Sequence, residues 1–179
     1  RTKSGRWIWV LDRGKVVERD ATGRAVRASG VVADITARKR TEKLLNFVAQ
    51  RHWASTGREF LPALVERLGQ LLDMDYVIIA KAGENPGVVE TVGLYAHGAV
   101  VPNLSYSLAG TPCEAVIGKK PCIYREKIQQ LFPADALLVE VTAESYLGMP
   151  LWDSAGKPIG SIVVVESRPM ETADQALIL

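Results

Sequence analysis

The chain has 179 residues, 47% apolar and 23% charged, with a formal net charge of +2 at neutral pH. That balance fits one packed domain plus a smaller element and excludes a largely disordered chain. No run of ~18 apolar residues is present, so neither a membrane span nor membrane contact is expected of this segment.

Residues 6–19 alternate aromatic and branched side chains, among them Trp7, Trp9 and Leu11, and predict a strand with Arg13-Gly14 as a candidate bulge. Asp20-Ala-Thr-Gly23 is a turn cluster, and Ala25 to Ile35 predicts a second strand completing an antiparallel hairpin. A lone hairpin is marginal in water. Trp7 and Trp9 are therefore expected to pack on the rest of a sheet, on the following domain or on a second copy. Thr36 is placed to cap a helix whose first two turns are almost wholly charged. Leu44, Leu45, Phe47 and Val48 then begin an apolar stripe.

Residues 1–43 hold 12 Lys/Arg against 5 Asp/Glu, whereas residues 44–179 hold 10 against 15, which places a boundary between two units near residue 40. The basic residues alternate with apolar ones as on a solvated strand face, so no nucleic-acid partner is expected.

Thr56-Gly-Arg-Glu59 has the spacing of a capping box. Phe60, Leu61, Leu64, Leu68, Leu71 and Leu72 follow at helical spacing. Tyr76–Lys81 and Val88–Tyr95 predict a hairpin of strands around the turn Glu84–Gly87, and a mostly polar connection follows from Val101 to Gly110. Thr111-Pro-Cys-Glu114 reads as a second capping box, with Pro112 at the first helical position. A short helix ending at Gly118 and a strand over Pro121–Tyr124 come next. Phe132–Asp135 opens a helix to about Val141. Strands over Ser145–Trp152 and Pro158–Glu166 flank the turn Asp153–Gly156, and Thr172–Gln175 caps a last helix. The fold class expected is α+β, with one antiparallel sheet of about six strands covered by helices.

The stretch Trp7–Gly14, the turn Asp20–Gly23 and the ending Asp34-Ile-Thr-Ala-Arg-Lys39 resemble the C-terminal part of PAS domains. The segments Ala109–Glu114, Ala143–Leu151, Asp153-x-x-Gly156 with Ile159-Gly160, and Val165–Met170 resemble GAF domains of sensor kinases and cyclic-di-nucleotide signalling proteins. The resemblance implies an incomplete PAS tail at 1–40, a linker helix at 41–56 and a GAF domain at 57–179. It also implies a bacterial-type sensory module, dimerisation through terminal helices, and transmission to a downstream output domain such as a histidine kinase or a diguanylate cyclase. Cys113 is followed by Glu114 rather than by the His of a bilin-attachment site, and the Asn-Lys-Phe-Asp-Glu signature of cyclic-nucleotide-binding relatives is absent. Neither ligand is carried over, and the cofactor stays open. With no starting Met and no signal-peptide pattern, the chain is expected to be a piece of a longer protein. With only Cys113 and Cys122, a reducing cytoplasm is the expected location.

No Ser-His-Asp set, paired-carboxylate motif, phosphate-binding glycine loop or metal-ligand spacing stands out, and no enzymatic activity is expected. His97, beside Gly98, lacks a nearby acid in this reading. A ligand pocket is expected between the sheet and the segment Ser105–Tyr124, with Tyr95, Thr111, Cys113, Glu114, Cys122, Tyr124 and Tyr146 as ligand-binding candidates. Tyr106 and Trp152 are further candidates for an aromatic wall. The amides of Cys113 and Glu114 at a helix start would suit an anion and can lower a thiol pKa, but Glu114 opposes a thiolate and a buried structural cysteine is the reading favoured for Cys113. Leu44, Leu45 and Val48 are expected to form a homodimer interface. Two rivals accompany the sensor: a ligand-free dimerisation module, and a GAF-fold reductase of free methionine sulfoxide using both cysteines.

Overall fold

A computed structural model describes residues 2, 7–49, 57–83, 85 and 87–170. The chain divides into two compact units, Arg1–Phe47 and Val48–Leu179. The capping box at Thr56 and the final helix from Thr172 lie outside the described residues.

In the first unit, β1 (Val10–Arg19) pairs antiparallel with β2 (Ala25–Asp34), and α1 (Thr36–Ala49) follows. The strand starts at Val10, later than the alternation of Trp7 and Trp9 indicates. Gly14 stands in register opposite Gly30 and is not a bulge; the register shifts lie at Val17 and Val26. The Gly14–Gly30 pairing reflects a close approach, because a Cβ on Gly30 would lie 2.5 Å from the Arg13 carbonyl oxygen. The turn is held by Asp20, whose Oδ1 accepts from the Thr22 amide at 2.9 Å, the Thr22 hydroxyl at 2.6 Å and the Arg24 amide at 3.0 Å. Thr36 does not cap its helix. Its hydroxyl accepts from the Trp9 amide at 2.9 Å, and Asp34 accepts from the Thr36 amide at 2.8 Å. The Asp-Ile-Thr sequence thereby ties the helix start to the residue preceding β1. Trp7 and Trp9 are exposed, and the Lys43 ammonium lies 5.4 Å from the Trp9 ring centre.

The second unit begins with α2 (Gly57–Leu72) and continues with β3 (Tyr76–Ala82), β4 (Val88–Ala96), β5 (Ala99–Val100) and β6 (Ser105–Ser107). A 3-10 turn (Pro112–Ala115), β7 (Cys122–Tyr124), α3 (Ile128–Leu131), α4 (Ala136–Glu140), β8 (Ser145–Trp152) and β9 (Pro158–Glu166) complete it. Seven strands form one antiparallel sheet in the order β5-β4-β3-β9-β8-β7, with β6 also on β4. The count exceeds the six expected because the connection after β4 is not wholly irregular. His97 (φ 43°) and Gly98 (φ 98°) reverse the chain into β5, and β6 then returns along β4.

Strand alternation gives the sheet two faces. One carries Val77, Ile79, Tyr95 and Val164 and is covered by α2. The most buried positions of that helix are Val65, Leu68, Gly69 and Leu72, spaced as one helical stripe. This shifts the core stripe away from Phe60, Leu61 and Leu64, which are only half-buried. Gly69 permits the close approach, since a Cβ there would fall 2.1 Å from the Tyr95 ring. The other face carries Tyr76, Ile78, Tyr146, Val163 and Val165 and is covered by the irregular segment between β6 and β8. That cover includes α3, which has no sequence counterpart in the reading above.

Candidate functional site

A cavity of about 200 Å³ lies between that second face and its cover. Its floor is Tyr76 and Ile78 of β3, Thr91 and Leu94 of β4, Tyr146 of β8, and Val163 and Val165 of β9. A register shift at Val92 brings Thr91 and Leu94 to the same face despite their odd spacing. Tyr106, Pro112 and Cys113 close one side, and Asp135, Leu137, Leu138 and Val141 the other.

Cys113 is buried, and its Sγ lies 3.3 Å from both the Tyr106 and the Tyr146 hydroxyl oxygens. Gly148 makes room for this arrangement: a Cβ there would lie 2.6 Å from the Tyr146 hydroxyl and 2.8 Å from Val116. Burial pushes the Cys113 thiol up, and the two phenol hydrogen bonds only partly offset it. Burial likewise raises both phenols, Tyr146 well above its ordinary value. The three groups thus form a neutral, fully protonated hydroxyl–thiol–hydroxyl chain at physiological pH. The lowering that a helix start can give a thiol does not prevail at Cys113, because loss of water outweighs what a single 3-10 turn supplies; the buried-cysteine reading describes it.

Asp135 caps α4, its Oδ1 accepting from the Leu137 amide at 3.1 Å. It is only 8% exposed. Burial raises its pKa, against the lowering effect of the Leu138 and Leu137 amides. At the cavity's other side, the Tyr76 hydroxyl lies 2.5 Å from His97 Nε2, and His97 Nδ1 lies 4.0 Å from Asp75. His97 therefore does have a neighbouring acid, brought there by the β3–β4 register. Asp75 accepts from the Ser167 amide at 2.9 Å and the Ser167 hydroxyl at 2.5 Å. Burial opposes its ionisation, but the Ser167 bonds, with His97 and Arg168 close by, hold its carboxyl below the usual range.

Of the residues singled out from the sequence, Cys113 and Tyr146 line the cavity together, joined by Tyr106. Tyr95 stands on the opposite face against α2. Thr111 is buried, but its hydroxyl donates to the Leu108 carbonyl at 2.8 Å. Glu114 is exposed and accepts from the Gly110 amide at 3.0 Å, so no reciprocal capping box forms with Thr111. The Cys122 thiol donates to the carbonyls of Ala115 at 3.5 Å and Lys120 at 3.7 Å. Tyr124 packs edge-on against Phe132 at 5.2 Å and near Tyr146 at 6.0 Å. Trp152 is exposed. The Glu114 amide bonds to the Thr111 carbonyl at 3.2 Å and is not offered to an anion. Tyr76 and Asp135 line the cavity without having been singled out. Among the described residues, no three His, Cys, Asp or Glu side chains are grouped to hold a metal ion. No helix among them is long and apolar enough to cross a membrane.

No curated protein matches the chain. Solved structures do resemble it in fold. A GAF domain of nlh2 from A. aeolicus, crystallised in an inactive state, superposes with a TM-score of 0.58 at 12% identity, covering 80% of this chain and 85% of that one. A phycocyanobilin-bound GAF domain of a cyanobacterial phytochrome gives 0.54 at 12% identity, covering 79% and 87%. Substrate-complexed fRMsr of Staphylococcus aureus gives 0.54 at 11% identity, covering 79% and 88%. The family model described as GAF domain matches residues 57–179. With more than half its length matched, the chain belongs to the GAF domain family.

Proposed function

We propose that the chain is a sensory and signal-relay module of a cytoplasmic bacterial protein. In this reading residues 1–40 are the tail of a PAS domain, and α1 links it to the GAF domain. A small molecule in the GAF cavity biases two states of the domain, and the flanking helices pass that bias to an output domain such as a histidine kinase or diguanylate cyclase. The module works as a homodimer through Leu44, Leu45 and Val48. The observation that carries the reading is the cavity itself. Its walls are largely apolar with a few convergent polar groups, which is the make-up of a ligand site.

Its volume also sets the scale of the ligand. A dry cavity of ~150 Å³ accepts benzene, so about 200 Å³ suits a single-ring body with a short arm. That is far below the size of a tetrapyrrole, and the bilin of the phytochrome neighbour is not carried over. The relay is tested by amide hydrogen exchange over Thr36–Ala49 with and without a bound cavity ligand. Altered exchange there supports it; exchange unchanged outside the cavity walls argues against it.

Two observations favour a second reading. Cys113 faces the cavity, and a neighbour in fold is fRMsr. The raised thiol and the engagement of Cys122 with backbone carbonyls weigh against this reading, because a nucleophilic sulfur needs its thiolate. Reduction of methionine sulfoxide that disappears in Cys113→Ser would establish it.

A further inference from the structure

The cavity's polar groups are unequal. The Tyr76 hydroxyl is engaged by His97, and those of Tyr106 and Tyr146 by Cys113. Asp135 is the only carboxylate in the wall, and no Lys, Arg or His lines the cavity among the described residues. More than nine-tenths of Asp135 is withdrawn from solvent, and its hydrogen-bond partners are backbone amides of its own helix. A carboxylate removed from water without a cation is a costly group, and it normally finds a partner or becomes neutral.

The three classes of small ligand therefore meet the site differently. An anion would lie against Asp135 with no cation to offset the repulsion. A neutral ligand would leave the carboxyl as it stands. A cation would supply the missing partner between largely apolar walls, where a charge-assisted hydrogen bond is stronger than in open water. The excess of acidic residues over residues 44–179, 15 against 10 basic, also favours the approach of a cation.

We infer that the cavity takes a small organic amine, with its protonated nitrogen on the Asp135 carboxylate and a body of about one ring against Leu138, Val163 and Val165. This rests on the proposal that the cavity is a ligand site, and it names the chemical class of ligand. Cys113 and the tyrosines then act as an uncharged wall.

Three probes of equal shape test it: 2-phenylethylamine, 2-phenylethanol and phenylacetate. Each is titrated into the 179-residue chain and followed through the backbone amide resonances of Leu137, Leu138 and Val163. The amine is expected to bind at least about tenfold more tightly than the alcohol, as a charge-assisted bond requires, with phenylacetate weakest. In Asp135→Asn the amine's affinity is expected to fall to that of the alcohol. Asn keeps a side-chain acceptor at the cap, so α4 is retained. The comparison among the three probes in the unaltered chain stands even if the variant does not fold. An alcohol that matches or exceeds the amine would overturn the inference while leaving the cavity a ligand site, as would an Asp135→Asn chain that keeps the amine's affinity. Failure of all three probes to move the cavity resonances would overturn both the inference and the proposal beneath it.

Discussion

Replacing Cys113 with alanine removes one sulfur but strips the partner from one buried and one half-buried phenol. Tyr146 is 1% exposed and Tyr106 is half-buried, and the Cys113 sulfur is the hydrogen-bond partner of both hydroxyls. Losing the buried sulfur costs about 1 kcal/mol, by analogy with a methylene group. Each phenol left unpaired adds about 1–3 kcal/mol, reduced for Tyr106 by water entering from the adjoining cavity. Cys113→Ala should therefore destabilise the domain by about 3 kcal/mol. Tyr146→Phe removes donor and acceptor together and leaves the thiol its bond to Tyr106, at a cost of about 1 kcal/mol. Cys113→Ser keeps both contacts and should cost less than Cys113→Ala. On a background of Tyr106→Phe with Tyr146→Phe, Cys113→Ala should cost only the sulfur's burial, about 1 kcal/mol. Urea unfolding followed by near-ultraviolet circular dichroism reads all four. A Cys113→Ala cost no greater than that of Tyr146→Phe, or one that is the same with and without the phenols, would show that the sulfur is not what satisfies the two hydroxyls.

Three further outcomes follow from other parts of the structure. Gly69→Ala drives a methyl into the Tyr95 ring and should cost about 1–3 kcal/mol in the same unfolding measurement, with a larger loss if the ring has no room to move. The raised carboxyl of Asp135 is a burden once ionised. Its penalty is absent below the ordinary carboxylate pKa of ~3.9 and grows as pH rises toward the folded-state value. Asp135→Asn should therefore gain relative stability between acidic and neutral pH, and a constant difference in urea midpoint across that range would count against the burial assigned here. Leu45 is 62% exposed on α1, and sedimentation at micromolar concentration should show a dimer that Leu45→Glu converts to monomer. A monomer unaffected by the substitution would remove the proposed interface.

The legible parts of the fold were those in which a local pattern and a tertiary demand agree. β8 and β9 occupy the spans read from the sequence, because long apolar strands flank an Asp-x-x-Gly turn. There Asp153 accepts from the Ala155 amide at 2.9 Å and the Lys157 amide at 2.8 Å. β5 and β6 were illegible because two or three residues carry no periodicity; they exist through pairing with β4. The stretch Thr111–Glu114 has the letters of a capping box, yet Thr111 turns back to Leu108 and Glu114 to Gly110. Spacing alone does not distinguish these bonds.

Within the candidate site, Tyr106, Cys113 and Tyr146 were legible in the sequence, while Tyr76, Asp135 and the aliphatic wall were hidden. Asp135 reads locally as an ordinary helix cap, which it is. Its place in the cavity wall depends on how the segment between β7 and β8 folds over the sheet. His97 and Asp75 are far apart in sequence, and only the pairing of Tyr76 with Ala96 brings their neighbourhoods together. Tyr95 and Tyr146 look alike in the sequence but sit on opposite faces, because strand phase is set by α2 and not by residue type.

The sensor reading stands or falls on a ligand site at the face of the sheet opposite α2. Backbone amide resonances under titration with a set of one-ring fragments probe that site, with the α2 face as internal control. Fragments that bind should move Tyr106, Asp135, Leu138 and Val163 together and leave Val77, Ile79 and Tyr95 in place. Fragments that move the α2 face instead, or a full set that leaves the cavity residues unmoved, would contradict it.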